Sequence, residues 1–318
     1  MERITLGKTG LQVSPLCIGT WQLAGPLAFD GKPDGHPDPG KENVLRLIQE
    51  LFDLGLNFID TAEQYGNGEA ERRTGEAISS NRDQWIVSTK FGYRVGPGST
   101  RIDDSSPATI RESIEGSLRR LQTDYLDIYL YHCAPNPDDL PEARAILEKA
   151  RNEGKIRNFG ISGDDLGLIK ELHKNELLDV LQFPISLLDR QDAISSFASE
   201  HNIGTQLRAV MAQGRLSGKY LSNTPTWQAD DNRSQHLAGE DLSRFSSLAD
   251  CLPDSYSLAQ AALRWALDQP GHHSICLGAK NLPDYQSAID ALSLPPLPEE
   301  TLKKFEILSV TLQEASPS

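Results

Sequence analysis

Asn57-Phe58-Ile59-Asp60-Thr61-Ala62-Glu63-Gln64-Tyr65-Gly66 is the stretch on which the fold of this chain turns. Leu56 and Phe58-Ile59 read as a short buried strand that stops on an acid, and Tyr65 follows in a polar turn. A desolvated carboxylate is costly unless a cation or several donors meet it, so stability alone does not explain Asp60. Two further apolar runs end on an ionisable residue. Trp85-Ile86-Val87-Ser88-Thr89 stops at Lys90, and Asp127-Ile128-Tyr129-Leu130-Tyr131 stops at His132. Short runs rich in β-branched and aromatic residues, followed by loop-like sequence, read as buried strands. In one parallel barrel their C-terminal ends would share a face, which is where such barrels carry their chemistry. Asp60, Tyr65, Lys90 and His132 would then converge.

Outward from these strands, helix and strand alternate. Ile4-Thr5-Leu6 and Gln12-Val13-Ser14, joined through Gly7-Lys8-Thr9-Gly10, read as a β-hairpin that caps the barrel bottom, and Leu16 to Trp21 as the first barrel strand. Apolar residues at helical spacing predict helices over 42–54, 69–78, 107–121, 140–151, 166–172, 193–200 and 258–267. Strands are expected over 158–162, 180–183, 205–210 and 274–277. Eight strand-then-helix units without a composition break favour an α/β chain forming one (β/α)8 TIM barrel, a single domain over 1–318. The loops Gly25–Gly40, Tyr93–Ser106 and Ser222–Asp241 are the expected source of substrate specificity.

The bulk composition narrows the function. Thirty-one Lys and Arg against 45 Asp and Glu give a formal charge of −14, which argues against a general nucleic-acid surface. Cys17, Cys133, Cys251 and Cys276 show no CxxC spacing and read as free thiols of a reducing compartment. Without an apolar leader at Met1–Thr5 or a membrane-length run, the expectation is a cytoplasmic protein with no membrane partner. His272-His273 are adjacent and are expected to be solvated. Gly214 to Lys219 is one residue too short for a P-loop and continues into Tyr220.

An ordinary phenol has a pKa of about 10 and is a reluctant acid at neutral pH. A nearby ammonium lowers that value, so Lys90 is expected to tune Tyr65, with Asp60 holding Lys90 in place. His132 could hydrogen-bond a substrate oxygen or share in proton transfer. The set lacks a nucleophile with a paired base, and it lacks metal-ligand spacing. Proton donation to a carbonyl oxygen while hydride arrives from a cofactor fits these residues.

From about Gly10 to Leu292 the chain resembles the aldo-keto reductases. The family's Asp-Thr-Ala-x-x-Tyr-Gly motif is present as Asp60–Gly66, its Lys falls in Ser88-Thr89-Lys90, and its His on His132. The resemblance implies a (β/α)8 barrel that binds NADPH without a Rossmann domain and reduces a small-molecule carbonyl substrate. It implies Tyr65 as general acid, Asp60 and Lys90 as its tuning pair, and His132 orienting the carbonyl. It places cofactor contacts at Thr20, Trp21 and Asp60, and at Ser162 and Gln182 for the nicotinamide amide. Arg208 would stack where many members use an aromatic ring. Gly214, Leu216, Gly218 and Lys219 would meet the pyrophosphate, and Gly278 and Lys280 the adenosine phosphate. The chain departs from the family at Gly163, where Asn is common, and at Asp284, where Gln or Arg is common. The expected assembly is a monomer or weak homo-oligomer. Two other readings stand beside this one: a cofactor-binding regulatory subunit with slow or no turnover, and an aldolase-type lyase using Lys90 as a Schiff base.

Overall fold

The computed structural model describes residues 1–222, 225–237 and 239–314. Eight parallel strands close into a barrel: β1 (Leu16–Gly19), β2 (Phe58–Asp60), β3 (Ile86–Phe91), β4 (Leu126–Tyr131), β5 (Ile156–Ser162), β6 (Val180–Pro184), β7 (Gly204–Arg208) and β8 (Ser274–Leu277). Each pairs with its neighbours in sequence, and β8 pairs with β1 to close the ring. Helices α1 (Lys41–Asp53), α2 (Glu69–Ile78), α3 (Pro107–Leu121), α4 (Leu140–Asn152), α5 (Leu166–Lys174), α6 (Asp192–Glu200) and α7 (Leu258–Leu267) follow β1 to β7 in turn. Two more, α8 (Leu282–Ala291) and α9 (Glu299–Glu314), complete the described chain. No helix among the described residues is long and apolar enough to cross a membrane.

The helices form where apolar stripes and caps coincide. In α3, Pro107 occupies the first turn, the Ser106 side chain accepts from Thr109 N, and Ile110, Ile114, Leu118 and Leu121 are buried. In α7 the Ser257–Gln260 capping box fixes the start. The hairpin Ile4–Thr5/Gln12–Val13 closes the N-terminal end of the barrel. Leu6 is fully buried in the interior cluster with Cys17, Phe58 and Leu130, and Lys8 N donates to Asn202 O at 2.8 Å. Gly7 has φ +48°, and a Cβ there would lie 2.4 Å from Gly204 N, so only glycine lets the cap approach β7.

Several boundaries differ from the sequence expectation. The first strand stops at Gly19, because Thr20 N turns to Asp60 O and a short 3-10 helix begins at Trp21. The loops Gly25–Gly40 and Tyr93–Ser106 each contain a small hairpin, Ala28–Phe29/Lys32–Pro33 and Tyr93–Val95/Arg101–Asp103. Of the segment Ser222–Asp241, Asn223, Thr224 and Ala238 lie outside the described residues. His272 and His273 are not solvated as expected. Both are partly buried, with a His272 ring nitrogen 2.9 Å from Ser195 Oγ and a His273 ring nitrogen 2.8 Å from Thr205 Oγ1.

The first long loop meets each of the other two at the C-terminal face. Asp30 N donates to Ser99 O (3.1 Å), Asn232 N to Gly35 O (3.1 Å), and Gln235 Nε2 to Pro33 O (3.0 Å). They form a collar around the strand ends.

Candidate active site

Alternation along the strands builds the site. Strand residues point in and out with a period of two, so the inward positions nearest the C-terminal ends gather at one level. Register pairs Gly19 with Asp60, Asp60 with Ser88, Lys90 with Leu130, and Ser162 with Gln182. Asp60 lies opposite Ser88, two residues before Lys90, and the long Lys90 side chain meets its carboxylate, while Ser162 and Gln182 are level with each other.

Asp60 and Lys90 form a buried ion pair, Nζ to Oδ2 2.7 Å, at 3 % and 0 % residue exposure. The ammonium also donates to Thr61 O (2.9 Å) and to Tyr65 Oη (3.2 Å), so all three of its hydrogens have partners. The other carboxylate oxygen, Asp60 Oδ1, accepts from Gln182 Nε2 at 2.8 Å. The Thr20 hydroxyl donates to Asp60 O (3.0 Å), so Thr20 holds the strand end in place. Trp21 Nε1 donates to Asp34 O (2.9 Å), and Gln64 Nε2 to Asp34 Oδ2 (2.5 Å), which ties the first loop down beside Tyr65. The Tyr65 ring stands edge-on to His132, centroids 5.7 Å apart, and Tyr93 also packs on His132, at 4.7 Å. The sequence reading passed over Gln64, Tyr93 and Asp34; only loop contacts identify them.

The proton affinities correct one expectation. Burial pushes the Tyr65 phenol up to about 12, and Asp60 adds to that, while the opposing pull of Lys90 is smaller. Lys90 therefore moderates the rise and does not bring the phenol below its ordinary value. The phenol keeps its proton throughout the neutral range. For Lys90 itself burial acts downward, but Asp60, with Tyr65 and Cys276, raises it above the ordinary lysine value. Burial, then Lys90, Arg208 and Arg101, hold His132 far below the usual histidine range. His132 is a neutral imidazole, able to donate one N–H but unsuited to be the acid.

The expected cofactor residues divide into two groups. Ser162 Oγ donates to Gln182 Oε1 (2.8 Å), forming a polar pair beside Asp60. Arg208, the last residue of β7 and partly exposed, makes no side-chain hydrogen bond or ion pair among the described residues, and its charge helps to hold His132 down. Beyond it Ala209, Ala212 and Gln213 all have positive φ (60°, 46° and 60°), and Gly214 and Gly218 follow at 108° and 74°. Strain of this kind in non-glycine residues persists where the surrounding structure fixes a functional loop. Leu216 is fully buried and anchors that loop, its N donating to Met211 O at 3.1 Å. Lys219 binds both oxygens of Asp284 (2.7 and 2.8 Å), joining the loop to α8. A Cβ at Gly278 would fall 2.1 Å from Gln22 Nε2, so a side chain there would have to displace the Gln22 carboxamide. Lys280 is partly buried, with Nζ 3.5 Å from Pro37 O and Asp231 and Arg233 nearby.

The sequence profile of the Aldo/keto reductase family matches residues 15–309. The chain belongs to this family. It is an NAD(P)H-dependent oxidoreductase with the family's eight-stranded barrel. Among similar proteins, the uncharacterized oxidoreductase YqkF of Bacillus subtilis (strain 168) is 29% identical over 308 residues, covering 96% of each chain. The NADH-specific methylglyoxal reductase of Escherichia coli (strain K12) is 29% identical over 313 residues, 92% of this chain and 94% of that one. The aldo-keto reductase AKR11C1 from Bacillus halodurans in its holo form superposes with a TM-score of 0.81 at 28% identity, covering 97% and 96% of the two chains.

Proposed function

We propose that this reductase converts aldehydes or ketones to alcohols with NADPH, the Tyr65 phenol donating the proton. The observation that carries the reading is the buried Asp60–Lys90 pair with the Tyr65 hydroxyl 3.2 Å from its ammonium. The residues present fit a nicotinamide dinucleotide. The Ser162–Gln182 pair suits a carboxamide, the Arg208 guanidinium can stack on a planar ring, and the strained loop before Lys219 suits a pyrophosphate. Bound there, the reduced cofactor supplies the hydride. The protein's own part is proton delivery. Tyr65 is fully protonated at neutral pH and gives its hydrogen to the carbonyl oxygen. The phenolate left behind is stabilised by the adjacent ammonium, which Asp60 holds in place. Neutral His132 donates an N–H to the same oxygen, orienting it and absorbing developing charge.

Lys280 is the support for the phosphorylated dinucleotide. Its ammonium makes no ion pair among the described residues, while neighbouring Asp231 pairs with Arg233 at 2.6 Å. The methylglyoxal reductase named above is NADH-specific, so the choice is open to measurement. The test is Tyr65→Phe, followed by NADPH absorbance with a panel of aldehydes. Turnover should fall by about 10²-fold or more, the range of general acid catalysis. NADPH affinity should stay near the parent value. A variant that retains turnover refutes Tyr65 as the acid.

A further inference from the structure

Beneath the ion pair lies a buried carboxamide that the proton-transfer scheme above does not use. Gln206, on β7, is fully buried in the barrel interior. Its Oε1 accepts from Ser88 Oγ (3.2 Å), and its Nε2 lies 3.5 Å from Asp60 Oδ1 and 3.5 Å from Cys17 Sγ. The orientation of the amide is fixed by chemistry. An ionised carboxylate only accepts, so the NH2 end must face Asp60. Gln206 thus spans the barrel from β3, two residues before Lys90, to the carboxylate that holds Lys90. Asp60 Oδ1 has two donors, Gln182 at 2.8 Å and Gln206 below it.

These two donors differ in what else they can do. Gln182 is itself buried but is also bonded to Ser162, a partly exposed residue at the end of β5. Gln206 is shut in by Ser88, Cys17 and Asp60 and has no other duty. A buried ion pair holds its geometry only when its remaining lone pairs are also satisfied. We propose that Gln206 is a positioning residue for carbonyl reduction. It fixes the Asp60 carboxylate from below, so that Asp60 keeps the Lys90 ammonium against Tyr65 while Gln182 is engaged with cofactor. The proposal rests on the reductase reading given above.

The experiment compares the parent enzyme with Gln206→Met, which keeps the volume of the barrel floor and removes the polar contacts with Ser88, Asp60 and Cys17. Parent turnover of NADPH with an aldehyde comes first; its absence counts against the reductase reading itself and not against Gln206 in particular. In Gln206→Met, kcat should fall by about tenfold or more, as expected when a reacting group loses its fixed geometry. KM for the carbonyl and the NADPH dissociation constant should stay within about twofold of the parent, since the residue touches neither. The alkaline limb of the kcat profile should move to lower pH, because a loosened Asp60 stabilises the Lys90 cation less. Ser88→Ala, which frees the far end of the carboxamide, should shift kcat and the alkaline limb the same way by a smaller amount. It also provides the test if Gln206→Met fails to fold. An unchanged kcat, or a loss of kcat with an unmoved pH profile, overturns the proposal.

Discussion

Lys90→Met removes one charge of a buried pair and keeps most of the volume. The parent pair is closed at 2.7 Å with both residues shut off from solvent. In the variant Asp60 retains Gln182 at 2.8 Å and longer contacts from Gln206 and Cys276, all neutral donors. Breaking a buried pair on one side costs about 3–5 kcal/mol. The charge part of this cost has a ceiling, because the variant can escape by taking up a proton. Protonating a carboxyl of ordinary pKa costs about 1.4 kcal/mol per pH unit above its midpoint, so the ceiling is about 4 kcal/mol at pH 7 and about 1.5 at pH 5. The folded variant would bind a proton that the unfolded chain does not, so its stability relative to the parent must recover as pH falls. Urea unfolding of both proteins at pH 5, 6 and 7 measures this directly, and Asp60→Asn/Lys90→Met should regain most of the loss at pH 7. A deficit that is flat between pH 5 and 7, together with a double variant no better than the single one, would refute the account of Lys90 as the charge partner of Asp60.

Two further predictions follow from the loops. Lys280→Ala should weaken NADPH by about tenfold or more while changing NADH little, since a charge-assisted bond to phosphate is worth about 1.5–3 kcal/mol. Equal losses for the two cofactors in a binding titration would move the phosphate site elsewhere. His36 is buried between Trp21 and Asp231 and is held down to about 4, first by burial and also by Lys280 and Arg233, against the upward pull of Asp231. The unfolded chain therefore takes up this proton first. The contribution is intact above about 6.5 and is lost as pH falls towards 4, up to about 3 kcal/mol. Thermal unfolding of parent and His36→Phe across that window should show a steeper acid loss in the parent; parallel curves would contradict it.

What the sequence made legible was whatever periodicity or local chemistry encodes. The strand ending on Asp60, the strand ending just before His132 and the helix opening at Pro107 could be read because each carries a full run of apolar residues and a boundary signal. The helix Leu282–Ala291 carried its signal too, Asn281 capping Asp284 N with Pro283 in the first turn, and went unread. The small hairpins in the loops have only two or three residues per strand, too few for alternation to stand out in the sequence. The burial of His272 and His273 is not legible in the sequence because their partners, Ser195, Ala266 and Thr205, come from other elements. For the phenol, the downward pull of Lys90 is as expected, but the net shift is not legible in the sequence. A sequence shows that a lysine can reach Tyr65, but the depth of burial, which decides the sign of the shift, comes only from packing. Gln206 could be placed on a strand from sequence, yet its partners are 118 and 146 residues away.

On the proposed reading, Gly163 changes how the two halves of the chemistry are coupled. With no side-chain donor at 163, the polar pair offered to a carboxamide is Ser162 and Gln182. Gln182 is also bonded through Nε2 to Asp60, so its Oε1 is the atom left to face a carboxamide NH2. The Ser162 hydroxyl then has to swing from Oε1 to meet the carbonyl, since Gly163 N is already bonded to Gln182 O at 2.9 Å. The residue that grips the nicotinamide is thus also a ligand of the carboxylate that sets the proton donor. Any cofactor that pulls on Gln182 pulls on Asp60 as well, and the pair with Lys90 stays fixed only if Asp60 has a second hold from within the barrel.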